Sequence, residues 1–220
     1  MPAAAEKIIY LRQLLAEKGV SRPAAPLTDG FLTGLAPLDE HGVPQHGVTE
    51  VVAPPSEGPG GTLLLYGLIH AMRGQRIALI DASDAFDPRS AVATDLLRLL
   101  WVRCADTLQA AKATDMVLRE GSLTACVFLL TMAPAVALRC IHANVWHRLQ
   151  VLSEQSGVPL IAFTPFAQIG NAKLRLSVSG HFPLSAITRS RTQLLPDLHL
   201  AVEKRRMNHG GADVRRSACA

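Results

Sequence analysis

The sequence predicts an α/β fold built on a mainly parallel sheet, and three observations carry that expectation. Short apolar runs such as Ile77 to Ile80, Ala125 to Leu130 and Val158 to Phe163 have the make-up of strands buried on both faces. They alternate with helical patterns, which implies right-handed crossovers and a sheet covered by helices. The 220 residues are 49% hydrophobic and 18% charged, enough for one domain with a sizeable core, and at 5% aromatic that core is aliphatic.

In chain order, Ile8, Leu11 and Leu15 recur at helical spacing within residues 3–18, and Gly19 is a stop, so a helix over 1–19 is expected. Residues 20–30 hold two prolines, Pro23 and Pro26, and read as a linker. A helix tethered in this way can dock on its own domain, on a second copy or on another protein. A core domain over 31–203 follows. Turn-rich segments containing His41 and His46 lead into a strand from Val48 to Ala53, then a Gly/Pro loop and a helix from Thr62. Further helices are expected from Pro88 with Asp87 as N-cap, over Ala105 to Arg119 ending at Gly121, and over Ala135 to Gln155 ending at Gly157. Leu99 to Val102 is another strand. From Leu174 the pattern alternates, and antiparallel strands are expected over Leu174 to Val178, Ala186 to Ser190 and Leu198 to Glu203. Residues 204–220 read as a basic, disordered tail.

Glu6 and Lys7 interrupt the N-terminus before any apolar signal region, and the four widely spaced cysteines form no C-x-x-C, so a cytoplasmic protein with buried, reduced thiols is expected. The uncharged run from Gly121 to Leu138 reads as a buried strand and a helix start, not a membrane span. Charge is uneven. From Lys173 onward nine Lys/Arg face three acids, a net +6, whereas the first 172 residues carry −2. This basic end, with Arg175, Arg189, Arg191, Lys204, Arg205 and Arg206, is a candidate contact for nucleic acid or a protein partner; a solvated end is the plainer alternative.

Strand, glycine loop and helix are the layout of a phosphate-binding loop, in which backbone N–H groups cradle phosphate, a lysine reaches the outer phosphates and a hydroxyl holds Mg²⁺. The loop is Ala53, Pro54, Pro55, Ser56, Glu57, Gly58, Pro59, Gly60, Gly61, Thr62. Pro59 stands at the lysine position and Gly60 at the hydroxyl position, so the layout is present and the chemistry is absent. A turn kept for the fold is the competing reading. A second candidate is the acidic stretch Asp81, Ser83, Asp84 and Asp87, which is suited to a cation or to capping. No metal-ligand set and no nucleophile–base arrangement stands out. His142 and His147, five apart, read as ordinary helix residues, and Trp101 and Trp146 as core or interface.

Phe31-Leu-Thr-Gly-Leu-Ala-Pro-Leu-Asp39, Gly42-Val-Pro-Gln-His-Gly-Val-Thr-Glu-Val51, Ile80-Asp-Ala-Ser-Asp-Ala-Phe-Asp-Pro88 and Leu96-Leu-Arg-Leu-Leu-Trp-Val-Arg103 resemble the RecA superfamily core, and within it the ImuA branch. The resemblance covers about residues 3–205 and implies a RecA-like sheet. Relatives bind ATP with a Walker A loop, a catalytic Glu after the second core strand and a Walker B Asp. At those places this chain has Pro59, Ser83, and Leu130 or Thr131, so the expectation is no ATPase activity, no catalytic residue and no cofactor, with ATP and Mg entering only if the altered loop still binds. Resemblance to ImuA implies an accessory role in SOS mutagenesis and translesion synthesis. The implied partners are an ImuB-like inactive Y-family polymerase and an error-prone replicative-type polymerase; DNA contact and self-association stay open.

Overall fold

Four strands buried along their whole length form the centre of the molecule: β1 (Val48–Val52), β2 (Ile77–Asp81), β4 (Ala125–Leu129) and β5 (Leu160–Thr164). The computed structural model describes residues 30–205. The expected helix with Ile8, Leu11 and Leu15, nearly all of the linker, and the tail from Arg206 lie outside the described residues. With β3 (Leu99–Arg103), β6 (Leu174–Ser179) and β7 (His199–Arg205) the strands make one seven-stranded sheet of order β3-β2-β4-β5-β1-β6-β7. Every pairing is parallel except β6 with β7.

Alternate residues of each strand enter opposite layers. Val51, Leu79, Val127, Phe163 and Leu176 pack beneath α2 (Gly60–Ala71), which follows a short α1 (Ala36–Asp39). Ala78, Ile80, Cys126, Phe128 and Ala162 pack beneath α3 (Thr107–Glu120) and α5 (Ala143–Ser156). The fold is therefore α/β, mostly parallel, flanked by helices, with an antiparallel pair at its C-terminal edge. The run from Gly121 to Leu138 contains β4 and the start of α4 (Ala135–Arg139). No helix among the described residues is long and apolar enough to cross a membrane.

Several expectations need correction. Pro88 opens a single 3-10 turn, Pro88–Ser90, and not a helix. Asp87 does cap it, but tertiary bonds hold this connection: the Tyr66 hydroxyl binds both the N–H and the C=O of Asp87, and buried Asp95 binds His70 Nδ1 at 2.8 Å. The helix expected over Ala135 to Gln155 is two helices. Cys140 and Ile141 donate to carbonyls three residues back, and His142 is extended, so Leu138 and Ile141 both reach the core before α5 restarts. Ala186 to Ser190 is not a strand: Pro183 opens a 3-10 turn, Leu184–Thr188, and α6 (Arg191–Leu194) follows it. Leu174 to Val178 pairs parallel to β1 on one side and antiparallel to β7 on the other. Lys204 and Arg205 belong to β7, not to a tail. Cys126 is buried and Cys104 half-buried, but Cys140 is exposed.

Candidate functional site

The Gly/Pro loop is shaped by close packing. Pro55–Glu57 makes one 3-10 turn, and Gly58 follows with φ +84°, a region that favours glycine. A Cβ on Gly58 would lie 2.7 Å from the Gly180 carbonyl oxygen, and one on Gly61 would lie 2.4 Å from the Ala53 Cβ. The start of α2 is thus pressed onto the end of β1 and the exit of β6. Its N-cap is Pro59, with no side-chain capping bond.

A cleft of about 630 Å³ opens beyond the carboxyl ends of β1, β2 and β4, where ligands of open α/β sheets sit. Gly58, Pro59 and Thr62 come from the loop, Ser83 and Asp84 from the segment after β2, and Thr131 and Met132 from the segment after β4. The three places singled out in the sequence therefore meet in one cavity. Ala53, Pro55 and Gly61 also line it, whereas Pro54, Ser56, Glu57 and Gly60 do not; Ser56 and Glu57 are exposed. No Lys or Arg is among the lining residues. Pro59, at the place of the phosphate-binding lysine, has neither charge nor N–H to offer a phosphate.

The acids do not converge on the cleft as a group. Asp81 is fully buried and accepts from the backbone N–H groups of Ser83, Ala85 and Phe86 at 3.2, 3.0 and 3.0 Å. Asp84 has φ +54° and forms a two-pronged pair with Arg103, at 2.8 and 2.7 Å. That hydrogen bond, and then the Asp84 charge, raise the Arg103 pKa. Asp87 accepts from Arg89 N–H and the Ser90 hydroxyl. Ser83 Oγ is buried without a hydrogen-bond partner. Among the described residues no three His, Cys, Asp or Glu side chains group as a metal site. Burial pushes the Cys126 thiol up to about 12, which keeps it protonated and inert at neutral pH.

The cleft wall is braced by a stack that the sequence does not announce. Arg191 sits 4.3 Å over Tyr66, Tyr66 stacks on Phe86 at 5.4 Å, Phe86 meets Trp101 edge-on at 5.3 Å, and Arg103 lies 5.2 Å over Trp101. The two guanidiniums at its ends meet ring faces, a favourable arrangement. Trp101 is thus a packing residue, as is Trp146, buried on the inner face of α5 against Phe128.

The candidate basic contacts are engaged. Arg175, 16% exposed, donates to Glu50 at 2.6 Å and to the Ile169 carbonyl at 2.9 Å. Arg189 pairs with Asp197 at 2.6 Å, Arg191 also donates to Ser90 O, Lys204 donates to Gly170 O at 2.6 Å and Arg205 to His41 O. They lie on separate elements; Arg206 is outside the described residues. Sequence reasoning missed Glu50, which is fully buried in β1. Its signal was visible: an acid inside an otherwise apolar strand demands a buried partner.

No protein-family model and no curated protein matches this chain. Fold and site together define its class: a three-layer α/β protein with a cleft at the carboxyl edge of a mostly parallel sheet, whose described lining holds one acid, Asp84, and no Lys or Arg.

Proposed function

We propose that the chain is a non-catalytic, RecA-like adaptor in bacterial DNA-damage tolerance, supporting translesion synthesis through protein contacts. The observation that carries the reading is the cleft. It brings together Pro59, Ser83 and Thr131, and by the resemblance Pro59 stands at the place of a nucleotide hydrolase's lysine, Ser83 at that of its catalytic Glu, and Leu130 or Thr131 at that of its metal-binding Asp. The resemblance of the segments around Phe31, Gly42, Ile80 and Leu96 to the ImuA branch supplies the biological setting, with an ImuB-like inactive Y-family polymerase and an error-prone replicative-type polymerase as partners. The engaged state of Arg175, Arg189 and Arg191 favours protein contact over a basic DNA-binding face.

Two measurements test it. Millimolar Mg-ATP leaves the melting temperature of the protein unchanged, and an ImuB-like polymerase co-purifies with it. A ligand at about 100 times its Kd would add roughly 2.7 kcal/mol, worth about 5–10 °C for a chain this size. A rise of that order would replace the reading with the rival one, a weak nucleotide hydrolase using Thr62 and the acids Asp81, Asp84 and Asp87, of which Thr62 and Asp84 line the cleft. Failure to bind the polymerase at micromolar concentration would remove the assigned partner.

A further inference from the structure

We infer that a second groove, on the α2 side of the sheet, is the seat of this chain's own N-terminal segment, held there in an intramolecular, self-covering contact. The groove has a volume of about 510 Å³ and is floored by Leu35, Leu195, Leu198 and Leu200, with Pro37 and Pro196 on its sides. It lies between α1 and the free edge of β7, and Arg205 closes the two together by donating to the His41 carbonyl. Among the described residues the outer edge of β7 faces no other strand, because β7 ends the sheet.

Where the chain enters decides the occupant. Gly30 is bridged to Pro44, and Phe31 N–H donates to the Val43 carbonyl at 2.8 Å, so the incoming segment is clipped beside the residues that build the groove's α1 wall. Residues 20–29, when extended, span roughly 33 Å, so residues 3–18 can reach the groove without displacing any described element. The sequence of that segment is matched to such a seat. At 3.6 residues per turn, Ile8, Leu11 and Leu15 share one face, Lys7, Arg12 and Lys18 fall roughly 50–75° from its centre, and Glu6 and Glu17 fall on the opposite side. An apolar stripe with basic flanks suits an apolar floor whose rim carries an acid. Glu40 is exposed on that rim and has no ion-pair partner among the described residues. A seated segment has its apolar stripe covered, so a protein that binds the stripe has to compete with the groove.

Hydrogen exchange on the full chain tests this without any partner. Amides of residues 195–201 exchange at least tenfold more slowly in the full chain than in a chain lacking residues 1–29, and Leu11→Asp with Leu15→Asp in the full chain reproduces the fast exchange. Slow exchange at β2 and β4 in every variant shows that the core stays folded. The point variant Leu195→Arg gives the same loss with the N-terminal segment intact. Equal exchange in full and truncated chains overturns the inference. So does protection that grows with protein concentration, which would assign the groove to the segment of a second copy.

Discussion

The two halves of the sheet's carboxyl edge treat their polar groups in opposite ways. After β5, the turn over residues 165–173 is clamped from within. The buried Glu50 carboxylate accepts from the Thr164 hydroxyl at 3.2 Å, from the N–H groups of Gln168 and Ile169 at 2.8 and 3.1 Å, and from Arg175 at 2.6 Å. Asn171 donates to the Trp146 carbonyl and Lys204 to that of Gly170, which ties the same turn to α5 and β7. After β1, β2 and β4 the loops instead leave an open cleft lined by Thr62, Ser83 and Thr131, with the Ser83 hydroxyl buried in its wall without a hydrogen-bond partner among the described residues. One carboxylate gathers the turn after β5, whereas the acids after β2 are spent locally, Asp81 on three backbone N–H groups and Asp84 on Arg103. An ion pair buried like that of Glu50 and Arg175 adds to specificity more surely than to stability, but removing one partner is costly.

The largest effect should come from the clamp. Glu50→Ala strands Arg175 and two backbone N–H groups and should cost about 3–5 kcal/mol, a drop of roughly 6–20 °C in Tm, measured by thermal and urea unfolding. A loss under ~1 kcal/mol would mean that solvent reaches the pair and that the turn after β5 is not clamped. Next comes the cleft's packing. Gly61→Ala places a Cβ 2.4 Å from that of Ala53 and should cost about 1–3 kcal/mol, because backbone rather than a flexible side chain must yield. A neutral result there would show that β1 and α2 can separate.

A smaller effect belongs to Asp115 on α3. Burial raises its carboxyl, but hydrogen bonds from Arg119 and Arg148 outweigh that and hold it below the ordinary carboxylate value. Its stabilisation is therefore complete at neutral pH. It is lost as the pH falls from the ordinary carboxylate range through the lowered value, because the unfolded chain takes up the proton first. Both arginines are more than half exposed, so Asp115→Asn should remove no more than about 1 kcal/mol at pH 7 and flatten the acid limb of stability against pH. Glu154 behaves with the same sign: burial raises it, and Lys173 and Gln150 lower it further than that. The smallest change is Pro59→Lys, at an exposed position. It should alter stability by no more than about 0.5 kcal/mol and by itself confer no Mg-ATP shift, since Ser83 and Thr131, which also line the cleft, supply neither a catalytic Glu nor a metal-binding Asp.

Much of the sheet was legible because its signals are local. Runs such as Ile77 to Ile80 and Val158 to Phe163 can be satisfied only by burial on both faces, and Gly121 and Gly157 stop α3 and α5 as read. The break at Cys140 to His142 and the turn at Leu184–Thr188 were not legible. There, partners far along the chain outweigh propensity: Thr107 Oγ1 takes the Ala137 carbonyl, and Leu195 packs so closely over α2 that a Cβ on Gly67 would come within 2.8 Å of it. Of the cleft residues, those of the Gly/Pro loop, Ser83, Asp84 and Thr131 were named in advance and Leu65 and Tyr66 were not, while Arg175 was read as a surface contact because nothing near it in sequence shows Glu50, 125 positions away.

What the sequence by itself determined is the layering and the absence of a lysine from the Gly/Pro loop. Alternating apolar runs dictate a covered parallel sheet, and a proline at the lysine position carries no charge in any fold. What only the tertiary structure decided is which groups meet. Residues after β1, β2 and β4 face one another because parallel strands all deliver their carboxyl ends to the same side. The acids there serve backbone N–H groups, Arg103 and a 3-10 turn because those partners lie nearer than any shared centre.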